Sequence, residues 1–147
     1  MCGIAGLIHR GKSSNVGSEL QLMLQALKHR GPDSTGYALY AENDGKNFIM
    51  RFKVGENVGE GSTSVNEDAS VYDKRKKLVD NMLSELGAKV IKEDQLTPYS
   101  FRYEMQFNDD LMEFSKKIES IESVEILSIG KSLELIKDLG DAATVSE

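Results

Sequence analysis

The sequence predicts an α+β chain in which one sheet-and-helix unit interrupts another. Tyr99, Phe101, Tyr103, Met105 and Phe107 alternate strictly with Ser100, Arg102, Glu104 and Gln106, the period-two mark of a strand with one buried face. Val71, Leu78, Val79, Met82, Leu83 and Leu86 recur at helical intervals, and Leu111, Phe114, Ile118 and Ile121 do so again. Before this patterned region, residues 55 to 70 are Gly, Ser, Asn and Glu with little apolar content, which predicts a mobile loop separating it from the N-terminal part.

Taken in order, residues 3 to 8 are small or β-branched and apolar, which predicts a buried strand, and the stretch from Gly11 to Gly17 predicts a loop. A helix should follow to about Lys28. Ser18 and Gln21 have capping-box spacing, and Leu20, Met23, Leu24 and Leu27 form its apolar stripe. His29-Arg30-Gly31-Pro32-Asp33-Ser34-Thr35-Gly36 cannot continue a helix and predicts a shaped loop. Tyr37 to Tyr40 and Asn47 to Val54 read as strands of a hairpin turning through Glu42-Asn43-Asp44-Gly45.

The helix over residues 71 to 86 should end in a left-handed cap at Gly87, with a short strand from Ala88 to Lys92 after it. Asn108 can cap the next helix, and Val124 to Ile129 completes the series as a strand. From Asn47 the order is strand, helix, strand, strand, helix, strand, which is the split βαβ arrangement of ferredoxin-like domains. Leu133, Leu135, Ile136 and Leu139 then suggest a short helix closing at Gly140. The resulting division is residues 1–54, the loop 55–70, the rest of the insert over 71–129, and a return segment 130–147; the strand 47–54 is shared with the insert.

Composition narrows the function. A chain of 147 residues is long enough for a core, and no stretch is long and apolar enough to span a bilayer, so no membrane is expected. The short apolar run precedes the first basic residues, the reverse of a secretory signal, which makes the cytoplasm the expected compartment. A net charge of −6 argues against a nucleic-acid partner, and the cluster Lys74-Arg75-Lys76-Lys77 reads as the solvated face of a helix. A single cysteine and two histidines exclude a multi-cysteine or histidine-rich metal site, and no cofactor is expected.

That cysteine stands directly after the initiator Met. A small side chain there favours Met removal, which would make Cys2 the terminal residue. A free α-amine titrates at about 7.7–8.0 and can serve as general base to its own side chain without a histidine. A thiol is the better nucleophile for such a device, being a few per cent thiolate at about pH 7. Taken alone, Met-Cys-Gly is weak evidence and favours a Cys buried as a small hydrophobe at the start of a strand.

Met1-Cys2-Gly3-Ile4-Ala5-Gly6, followed by Leu27-Lys28-His29-Arg30-Gly31-Pro32-Asp33-Ser34-Thr35-Gly36, resembles the two opening motifs of class II (N-terminal nucleophile) glutamine amidotransferases. The resemblance implies an Ntn-hydrolase αββα sandwich, here partial and interrupted by the ferredoxin-like insert. It also implies glutamine as substrate and Cys2 as nucleophile, forming a γ-glutamyl thioester and releasing ammonia to a second site. Arg30, Gly31, Asp33 and Ser34 would form or support the wall of the substrate site. An Arg30–Asp33 ion pair is the expected structural element, and His29 suits a helix C-terminus better than the role of base. The insert and the run from Ile129 to Asp141 are similar to stand-alone amidotransferase subunits of archaeal-type glutamate synthase and N-methylglutamate synthase, which implies synthase partner subunits.

The family's downstream segments, of the form His-x-Arg-x-Ala-Thr and His-Asn-Gly, do not occur in these residues. They supply the α-carboxylate clamp and the oxyanion donors, and losing one such donor typically costs ~10²–10³-fold in turnover. The expectation is therefore the N-terminal portion of a longer protein, a fragmentary gene product, or one half of a split enzyme, weakly active or inactive on its own. Two other readings remain open. One is a non-catalytic regulatory or assembly module built on the ferredoxin-like unit, and the other is an N-terminal nucleophile hydrolase acting on other amides.

Overall fold

The computed structural model describes residues 2–11, 15–30, 33–40, 45–55 and 68–146. The loop expected over residues 55–70 therefore lies mostly outside the described residues, as do Gly31, Pro32 and the turn residues Glu42, Asn43 and Asp44. The chain divides into two units, named here by their place along the sequence alone: an inner unit, Ala38–Ile136, and an outer unit made of the flanking stretches Met1–Tyr37 and Lys137–Glu147.

The inner unit contains β2 (Phe48–Lys53), α2 (Ala69–Glu85), β3 (Lys89–Thr97), β4 (Ser100–Gln106), α3 (Leu111–Glu119) and β5 (Glu125–Gly130). Its four strands lie in the order β3-β4-β2-β5, with every neighbouring pair antiparallel. One sheet face collects Met50 and Phe52 from β2 with Phe101, Tyr103 and Met105 from β4, and it packs with Val79 and Leu83 of α2 and Phe114 and Ile118 of α3. Phe52 stacks on Phe101 at 5.4 Å between ring centroids and meets Tyr103 edge-on at 5.0 Å, so aromatic geometry adds to area burial. Each helix start is satisfied by a carboxylate: Asp68 accepts from the Ser70 amide and Asp110 from the Glu113 amide. Asp110, not Asn108, is thus the cap of α3. Gly87, at φ +73°, follows the end of α2 in the left-handed conformation expected of it.

On the same unit, Glu134 accepts from Arg51 at 2.6 Å and from Arg102 at 2.9 and 3.0 Å, with all three side chains largely covered. Burial alone would raise the Glu134 carboxyl, but the hydrogen bonds from Arg102 and Arg51 outweigh it and hold the group below the ordinary glutamate range.

Three element assignments differ from the sequence expectation. Residues 133 to 139 form β6 (Leu133–Leu139), not a helix, because they pair with β1 (Ser34–Tyr40) in a two-stranded sheet. Their apolar spacing suits either period over so short a run, and tertiary pairing decides. The hairpin expected between residues 37–40 and 47–54 is replaced by this arrangement, since β2 pairs with β4 and β5. Residues 3 to 8 form no strand among the described residues.

The outer unit has α1 (Val16–Ala26), a 3₁₀ turn over Lys28–Arg30, and α4 (Ala142–Val145), while β1 and β6 straddle the division. Asn15 caps α1 by accepting from the Ser18 amide, so the helix starts before the Ser18 cap expected from spacing. Among the described residues no helix is long and apolar enough to cross a membrane.

Candidate active site

Within the outer unit, Gly3 lies against the end of α1. A Cβ placed on it would stand 3.2 Å from the Leu27 Cβ and 3.5 Å from the Arg30 Cβ, so glycine permits a closer approach than a side chain would. Cys2, the residue before it, is exposed. It opens onto a cleft of about 260 Å³ whose lining includes Leu27, Lys28, Arg30 and the stretch from Asp33 to Gly36, with Ala142 on the return segment.

The wall is held by bonds between the loop and that return segment. The Gly140 amide donates to the Asp33 carbonyl at 3.1 Å, and the Thr35 hydroxyl donates to the Gly140 carbonyl at 2.9 Å. Gly140 sits at φ +112°, where an L side chain would be strained. Two residues on, the Ala142 carbonyl accepts from the buried Tyr37 hydroxyl at 2.7 Å. Burial raises the Tyr37 pKa, against a lowering by Ser146, and this keeps the phenol in its donor form.

Gln25 of α1 completes the clamp with both ends of its amide: its nitrogen donates to Asp141 at 3.0 Å, and its oxygen accepts from the Ala143 amide at 3.3 Å. Asp141 also caps α4 by accepting from the Thr144 amide. These donors, Gln25 first, hold its carboxyl down at about 2.

Of the residues expected at the site, Cys2, Arg30, Asp33 and Ser34 all line this one cleft, while Gly31 is outside the described residues. The expected Arg30–Asp33 ion pair is not formed among the described residues; Arg30 has other interactions, and Asp33 is held through its backbone carbonyl. His29 lies in the 3₁₀ turn and is not part of the lining, and His9 pairs with Glu19 at 3.0 Å on the surface. Sequence reasoning misses Gln25, Asp141 and Ala142. Its available signal is the Gly140-Asp141 pair, a glycine turn followed by a helix cap, which it assigns to the end of a helix. Among the described residues there is no cluster of metal-ligating side chains. An exposed thiol beside an open cleft with cationic and hydroxyl lining suits attack on a small polar substrate.

No protein-family model matches the chain. Over 160 aligned positions it is 31% identical to a protein of Methanothermobacter thermautotrophicus named "Putative glutamine amidotransferase". The alignment takes in all of this chain and 46% of that protein, so the chain spans about half the length of the curated relative it matches. Among solved structures, the chemotaxis kinase CheA P2 domain in complex with the response regulator CheY, from Thermotoga maritima, matches 64% of this chain and 96% of that one. Its TM-score is 0.41 and its identity 17%.

Proposed function

We propose that this chain is the nucleophile-bearing part of a class II, N-terminal nucleophile glutamine amidotransferase. The observation that carries the reading is the cleft, onto which both opening motifs converge: Cys2 from the first, and Arg30, Asp33 and Ser34 from the second. The Methanothermobacter relative supports a glutamine amidotransferase-like function in coarser terms.

In this mechanism removal of Met1 frees the Cys2 α-amine, which takes the thiol proton as sulfur attacks the glutamine side-chain carbonyl carbon. The tetrahedral oxyanion collapses to a γ-glutamyl thioester and ammonia leaves with the returned proton. Water then hydrolyses the thioester to glutamate and regenerates the thiol. The outer unit would contribute to an αββα sandwich. The inner unit would be its ferredoxin-like insert, a reading supported by the element order and the antiparallel β3-β4-β2-β5 sheet. Ammonia would pass to a synthase partner.

The oxyanion donors and the α-carboxylate clamp would lie outside these 147 residues. Mixing the chain with the part of the Methanothermobacter protein outside the matched stretch is therefore expected to produce glutamine-dependent ammonia release that Cys2→Ser abolishes. No gain on mixing, or equal release by Cys2→Ser, would count against the proposal. One observation favours a second reading, a non-catalytic assembly module: the inner unit has a complete core of its own. That reading predicts complex formation without ammonia release.

A further inference from the structure

We propose that Gln25 is a positioning residue of the Cys2 cleft, whose side-chain amide ties the α1 side of the lining to the return segment and so sets the distance between them. Leu24 of α1 and Leu27 at its C-cap line the cleft from one element, and Ala142 lines it from the return segment. Gln25 stands between the two leucines in sequence, and it bonds to the two residues that flank Ala142: its nitrogen donates to Asp141 at 3.0 Å and its oxygen accepts from the Ala143 amide at 3.3 Å.

Both bonds are directional. An ionised Asp141 can only accept and a backbone amide can only donate, so the nitrogen of Gln25 must face the first and its oxygen the second. Asp141 is fixed from the α4 side as well, accepting from the Thr144 amide at 3.1 Å and the Thr144 hydroxyl at 3.0 Å. The bonds from Gly140 and Ala142 run instead to Asp33, Thr35 and Tyr37. Loss of the Gln25 tie would therefore leave Ala142 tethered to β1 while releasing its distance from Leu24 and Leu27. A nucleophile acts on a carbonyl held at near-attack distance, and a displacement of about 1 Å can cost roughly 10²-fold. The inference rests on the amidotransferase reading for the identity of the substrate, not for the tie itself.

Gln25→Glu would make the tie depend on pH. A protonated carboxyl keeps one donor and one acceptor and can repeat both bonds, whereas an ionised one has no donor for Asp141 and repels it. Beside the ionised Asp141 the new carboxyl titrates above the ordinary value of ~4.3. Of the other groups around the tie, Lys28 in the 3₁₀ turn favours the ionised form of Asp141, and Tyr37 of β1, raised by burial, stays a phenol from about pH 5 to about pH 8.

The test uses the full chain, whose single cysteine takes one bimane label at Cys2, and reads the cleft as quenching of that label by neutral acrylamide. The parent should give the same quenching constant at about pH 8 and about pH 5. Gln25→Met, which removes both bonds at similar side-chain length, should raise it at least ~3-fold at both. Gln25→Glu should match Gln25→Met at the higher pH and return to the parent at the lower, a recovery that general loosening would not show. Unchanged quenching in both variants would overturn the proposal, as would a rise in Gln25→Glu that persists in acid. Loss of the parent's circular dichroism in both variants would make Gln25 a purely structural residue and overturn it too. The label reads the cleft whatever the substrate is. Unmoved quenching therefore sinks the tie and leaves the amidotransferase reading to the ammonia assay, whereas the expected quenching pattern without ammonia release keeps the tie and sinks that reading.

Discussion

The inner and outer units differ most in what they bury. In the inner unit Met50, Phe52, Val79, Tyr103, Met105 and Ile118 are fully enclosed in one continuous cluster. The outer unit, among its described residues, buries Leu20, Tyr37 and Ala142 and leaves Ile4, Ile8 and Leu22 in solvent. Its order comes instead from polar clamps: Gln25 on Asp141 and Ala143, Tyr37 on Ala142, and Gly140 on Asp33. The unit with the larger core carries no candidate nucleophile, and the unit with the nucleophile is held by hydrogen bonds, each typically worth about 1 kcal/mol net. Stability and proposed chemistry are thus housed apart.

The comparison can be broken first at the inner core. Phe101→Ala removes the ring stacked on Phe52 and should cost about 3–5 kcal/mol in urea unfolding. A loss under 1 kcal/mol would mean that the inner unit is not the stable half.

Next in size is Glu134→Gln, which removes the carboxylate shared by Arg51 and Arg102, leaves Arg102 with its 3.4 Å pairing to Asp94, and should cost about 1–3 kcal/mol near neutral pH. Because the folded carboxyl lies below its unfolded value of about 4.3, its contribution is complete above that pH. It fades as pH falls through the folded value. The variant should accordingly approach the parent in acid, and a gap that widens there would contradict the account.

Tyr37→Phe removes the bond to Ala142 and should cost about 0.5–1.5 kcal/mol, read as faster exchange at the α4 amides. The smallest effect belongs to Ile4→Ala and Ile8→Ala, each expected within about 0.5 kcal/mol in the isolated chain because neither side chain is buried. A penalty as large as a core truncation would show that the segment is already covered.

Sequence legibility follows the same division. Residues 99 to 107 are readable because every second side chain enters the core, and the stripes of α2 and α3 because one face packs on the sheet. Residues 133 to 139 are not, since their spacing suits two periods and a strand about a hundred positions earlier selects between them. At the cleft, Cys2, Arg30, Asp33 and Ser34 could be named from two short motifs. Gln25 and Asp141 could not, being 116 positions apart and joined only in the folded chain. Residues 3 to 8 have the composition of a buried strand, yet Ile4 and Ile8 stand in solvent and only Gly3, Ala5 and Leu7 are half-buried.

The claim that Cys2 is the nucleophile is tested most directly by the intact mass of the protein made in cells, before and after reaction with the glutamine analogue 6-diazo-5-oxo-norleucine in the presence of the Methanothermobacter polypeptide. The account predicts that Met1 is absent and that the parent gains one adduct, located on Cys2 and missing from Cys2→Ser. Retained Met1, or an adduct that persists in Cys2→Ser, would contradict it.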